Sequence, residues 1–106
     1  MGERVSPEAA IPLVEAFWDL PDGALFRLRD GYYEPGWGEQ LAELFSSIEV
    51  DEATRLPRRF VSLTWTIPTV MEWQVERVAE RGGDVAALRR EITVVRNALD
   101  RLLGTP

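Results

Sequence analysis

Hydrophobic positions along this 106-residue chain fall into two periods, and the changes between them predict its elements. Ser6-Pro7-Glu8 reads as a helix start, with a capping hydroxyl, a proline suited to the first turn and an acid that complements the helix dipole. Ala10, Leu13, Val14, Phe17 and Trp18 follow at spacings of three and four, which predicts a helix ending near Leu20, before the turn residues Pro21-Asp22-Gly23. From Ala24 to Arg29 the pattern alternates. Ala24, Phe26 and Leu28 take one side; Leu25, Arg27 and Arg29 take the other, which predicts a half-buried strand. Asp30-Gly31 is a two-residue hairpin signal, with a short return strand at Tyr32-Tyr33-Glu34 before Pro35-Gly36.

Leu41, Leu44, Phe45 and Ile48 restore helical spacing over Gly38 to Ile48, and Asp51 to Leu56 reads as one further helical turn ended by Pro57. Arg59 to Ile67 is the clearest strand: Val61, Leu63, Trp65 and Ile67 share one face and Ser62, Thr64 and Thr66 the other, with Phe60 an exception. It is expected to lie antiparallel to the 24–29 strand, with Arg27, Arg29, Ser62 and Thr64 on the polar face of the sheet. Thr69 and Glu72 form a capping box opening a helix to about Arg81. Gly82-Gly83 breaks that helix, and Asp84 caps a last one that ends near Leu103, ahead of Gly104 and Pro106. The fold class predicted is α+β in one domain: a small antiparallel sheet of two to three strands packed against helices, with a C-terminal antiparallel helical hairpin.

The last helix carries an unbroken heptad seam. Val85, Ile92 and Leu99 occupy a positions, and Leu88, Val95 and Leu102 occupy d positions. β-branched residues at a with mostly leucine at d favour a parallel pair. The flanking charges agree, because Asp84 would face a partner's Arg89 and Glu91 a partner's Arg96. Two destinations are open to this seam. Met71, Val75 and Val78 of the preceding helix can cover it within one chain, or a second copy can cover part of it and make a homodimer.

Composition narrows the chemistry. The chain has no histidine, cysteine or lysine, so the commonest general bases and nucleophiles are missing, as are thiolate metal ligands and disulfides. No Gly-rich phosphate loop or Gly-x-Ser-x-Gly turn is present. Glu49, Asp51 and Glu52 crowd together, but without the spacing of a calcium loop. These absences predict a protein without catalytic residues, cofactor or metal. The longest apolar runs are too short to span a membrane, and Met1-Gly2-Glu3-Arg4-Val5 lacks the pattern of a secretory signal, which predicts a cytoplasmic location.

Eighteen acidic residues against twelve arginines give a net charge of −6, which disfavours non-specific binding to nucleic acid and to anionic lipid. Two further clusters are candidates for recognition. In the segment from Asp30 to Gly38, Tyr32, Tyr33 and Trp37 are interleaved with Gly31, Gly36 and Gly38; such a loop either binds a partner or folds its rings back over the core. Arg55, Arg58 and Arg59 could contact phosphate in a nucleic-acid-associated regulator, the competing class. Glu72, Glu76 and Glu80 make one acidic row. The function expected is protein–protein interaction, as an adaptor or as an inhibitor of the immunity or antitoxin kind, with self-association through the C-terminal helices.

Overall fold

The computed structural model describes residues 4–18 and 23–104. Seven helices run through them: α1 (Pro7–Trp18), α2 (Ala24–Leu28), α3 (Trp37–Ser46), α4 (Arg58–Thr64), α5 (Ile67–Trp73), α6 (Val75–Glu80) and α7 (Val85–Leu103). The expected helix end at Leu20, the turn at Pro21-Asp22 and the closing Pro106 lie outside the described residues.

The α+β expectation is overturned. Among the described residues there is no strand, and the sole β feature is an isolated parallel bridge between Val5 and Ile48. There the Val5 N–H donates to the Ser47 carbonyl and the Glu49 N–H to the Val5 carbonyl, both at 2.9 Å.

Both supposed strands are helices, and burial shows why. In α2 the buried residues are Ala24, Leu25 and Leu28, while Phe26 is turned out. That set is one face of a helix, and alternation over six residues is too short to exclude it. Asp30-Gly31 closes the C-terminal end of α2 instead of a hairpin, with Asp30 N–H donating to Arg27 and Gly31 N–H to Leu28. Tyr32-Tyr33-Glu34 is accordingly not a return strand.

In α4 the buried residues are Phe60, Leu63 and Thr64, and the series continues into α5 with Ile67 and Met71. These positions are spaced by three, one, three and four, the signature of a helical stripe. Trp65, placed on the apolar face of the expected strand, is 62% exposed, whereas Phe60, the exception to that face, is fully buried. Buried Thr64 bonds within its own helix, donating from Oγ1 to the Phe60 carbonyl at 3.0 Å.

The helical expectations need smaller changes. Ser6 caps α1, its Oγ accepting from Ala9 N–H at 3.1 Å. Thr69 does not open a helix: α5 begins at Ile67, with Pro68 in its first turn and no side-chain cap at Thr66. The helix expected to reach Arg81 is divided at Gln74 into α5 and α6. Residues 51–56 form a turn in which Asp51 Oδ1 accepts from Ala53 N–H and Thr54 Oγ1, not a helix. Asp84 caps α7 by accepting from Ala87 N–H at 2.9 Å.

α7, at 19 residues about 28 Å long, is the spine. α3, α5 and α6 pack against it, and α1 packs on α2 and α4. The shared core contains Val14, Leu28, Leu41, Phe45, Phe60, Ile67, Val78, Leu88 and Val95. The chain turns back on itself between α6 and α7, as the C-terminal hairpin requires, though one arm is the two-part α5–α6.

Candidate functional site

The seam of α7 lies inside the chain. Leu88 and Val95 are fully buried, Ile92, Leu99 and Leu102 are buried, and Val85 is half-buried against the core. The charges that a parallel pair would use are also engaged internally. Asp84 caps its own helix, Arg96 pairs with Glu72 at 3.1 Å, and Glu91 is buried beneath the aromatic loop. A second copy could reach the five buried seam residues only after the helices packed on α7 had moved away.

Glu91 is 4% exposed and organises the loop between α2 and α3. Its Oε2 accepts from the Tyr33 hydroxyl. The Gly36 N–H lies 3.1 Å from both oxygens, and the Gly38 N–H donates to Oε1 at 2.5 Å. These two amides belong to the first turn of α3, whose leading N–H groups have no partner inside their own helix. A carboxylate here meets both the free donors and the positive end of the helix dipole. The contact needs glycine at 38, because a Cβ at that position would lie 2.5 Å from the Cβ of Glu91.

The three loop aromatics therefore divide between two tasks. Tyr33 turns inward to Glu91 and meets Trp37 edge to face, with ring centroids 6.0 Å apart at 88°. Both line a small apolar pocket with Phe17, Leu28, Leu41 and Met71. Tyr32 stays outside, 47% exposed.

Around Tyr32 the fold assembles arginines from α2 and from α6 with its C-terminal cap Arg81. The Arg81 guanidinium lies 4.1 Å from the Tyr32 ring centroid. That of Arg27 lies 5.9 Å from the same centroid and 5.6 Å from the Trp37 ring. Arg81 Nε donates to the Asp30 carbonyl at 2.5 Å, and Arg77 donates to the Arg29 carbonyl at 2.6 Å. Gly31 lets α6 approach this closely: its φ is +86°, and a Cβ there would sit 2.7 Å from the Arg77 carbonyl oxygen. Among the described residues no carboxylate forms an ion pair with Arg27, Arg29, Arg77 or Arg81.

The other arginine cluster lies just before and at the start of α4. Arg59 pairs with Glu15 of α1 at 2.9 Å, and Arg55 and Arg58 stand exposed at the entrance to α4. With no sheet to hold them together, Arg27 and Arg29 join the arginines of α6 instead. Of the acidic row, Glu72 lies on α5 and Glu76 and Glu80 on α6. Among the described residues no group of three or more carboxylates is arranged to hold a metal ion, and no helix is long and apolar enough to cross a membrane.

Sequence reasoning singled out Tyr32, Tyr33 and Trp37 but missed Glu91, Arg77 and Arg81 as their support. The only local sign was the crowding of glycines at 36 and 38, which says that something approaches the backbone without saying what. Comparisons of the chain with protein-family models, with curated proteins and with solved structures each find no match.

Proposed function

We propose that this protein is a non-catalytic binding module whose recognition surface is the Tyr32 turn and the arginines around it. The observation that carries this reading is the division of labour in the loop. Glu91 fixes residues 33–38 from behind, and Tyr32 projects from that base, half exposed beside two guanidinium groups. Tyrosine and arginine are the residue types that dominate binding energy at protein interfaces, and a pre-organised loop loses little entropy on docking. The inventory of reactive groups supports a non-catalytic role. Histidine, cysteine and lysine are absent, and the one buried carboxylate among the described residues has its oxygens committed to structural donors.

The test is affinity capture from a lysate of the source organism, with the wild-type chain and Tyr32→Ala run in parallel. The exposed side chain can be removed without loss of fold, which circular dichroism checks. A partner retained by the wild type and lost by the variant is the expected result. Identical sets of captured proteins would discard the Tyr32 surface.

A further inference from the structure

We infer that the partner is gripped through an acidic segment, its carboxylates seated on the fork of Arg27 and Arg81 beside the Tyr32 ring. This rests on the Tyr32 surface proposed above and adds the chemistry of what binds there. The chain carries 18 acidic residues and 12 arginines, so most of its cations have carboxylates to choose from. Arg59 and Arg96 take them. Among the described residues, the arginines at the Tyr32 turn do not. Their neighbours are ring faces and backbone carbonyls, although Glu76 and Glu80 alternate with Arg77 and Arg81 along α6.

Their contacts to backbone carbonyls and ring faces tie α6 to the end of α2 but leave their charge unpaired among the described residues, and a carboxylate arriving from outside would pair it. A guanidinium stacked on an aromatic ring keeps its in-plane N–H donors pointing outward, and that planar fork matches a carboxylate in a two-point contact. Arg81 has one donor committed to Asp30, and its remaining donors are available; the same holds for Arg77 with Arg29. Tyr32 supplies adjoining apolar area for the stem of the incoming side chain. A long polyanion is disfavoured, because the net charge of −6 repels whatever extends beyond this small patch.

Titration of the isotope-labelled full chain with capped hexaglutamate peptide, followed through the arginine Nε–H and backbone amide resonances, tests this. Capped hexaglutamine and hexathymidylate serve as parallel probes. Hexaglutamate should shift residues 27–32 and 77–81 selectively and saturably, more strongly than either other probe, and the response should weaken with salt. The double variant Arg27→Gln/Arg81→Gln should bind it about tenfold more weakly or worse. An equal response to hexaglutamine, or none to any probe, overturns the carboxylate assignment, while the lysate comparison with Tyr32→Ala still decides whether the surface itself is used. A tighter response to hexathymidylate also overturns it, in favour of nucleic acid.

Discussion

Glu91 is a charge taken out of water, and its position is tenable only because three donor groups replace its hydration. Each of those groups would in turn be orphaned without it: two amides at a helix start and a half-buried phenol. Glu91→Gln keeps the shape but aims an N–H₂ group at donors. It is therefore expected to destabilise the chain by about 2–3 kcal/mol, read as the shift in urea unfolding midpoint at unchanged slope. Little of this was legible beforehand. Glu91 looked like one more acid flanking an apolar stripe, and its donors lie 53 to 58 residues away in the chain. Its role depends on the docking of α3 against α7, which no local pattern encodes.

Single elements were legible where one period stood alone and failed where two overlapped. The start of α1, α3 to within two residues and α7 follow from stripes of eight to eighteen residues, with Ser6 and Asp84 supplying caps. α4 carries two periods at once. Val61, Leu63, Trp65 and Ile67 alternate, while Phe60, Leu63, Thr64, Ile67 and Met71 make a helical stripe that includes a polar member. β-branched and aromatic residues favour the first, and the core settles on the second because Phe60 and Ile67 can then be buried together. The two readings assign opposite roles to Phe60 and Trp65. In the helical fold Phe60→Ala removes a fully buried ring and should lower stability by about 3–5 kcal/mol. Trp65→Ala removes a side chain 62% exposed and should cost under about 1 kcal/mol. Paired unfolding curves of the two variants distinguish the folds, since a strand would reverse their order.

At the scale of the whole molecule, the heptad seam of α7 is the line on which the other helices converge. Five of its six residues, all but half-buried Val85, lie in the shared core, so a charge introduced at any of them meets apolar side chains. Leu99→Glu is expected to abolish cooperative unfolding and the helical circular dichroism spectrum, because it places an unpaired carboxylate at a site 4% exposed. A folded monomeric variant from a dimeric wild type would instead show that the seam opens to a second copy. The Tyr32 turn lies where the end of α2 meets α6, and it brings Arg27, Arg77 and Arg81 together from elements far apart in the chain. Composition revealed the total charge, but this grouping emerged only once α2 and α6 were placed together.

The bond between Gly38 and Glu91 also sets how the loop moves in time. A surface loop ordinarily exchanges its amide hydrogens with solvent by brief local openings that leave the rest of the protein intact. Gly36 and Gly38 cannot do so independently, because their acceptor sits on the buried face of the spine helix and is released only when α3 parts from α7. In deuterated buffer these two loop amides should persist nearly as long as those at the centre of α7, and far longer than the amide of exposed Ala53 in the 51–56 turn. The segment that presents Tyr32 to the outside would then be among the last parts of the molecule to become mobile.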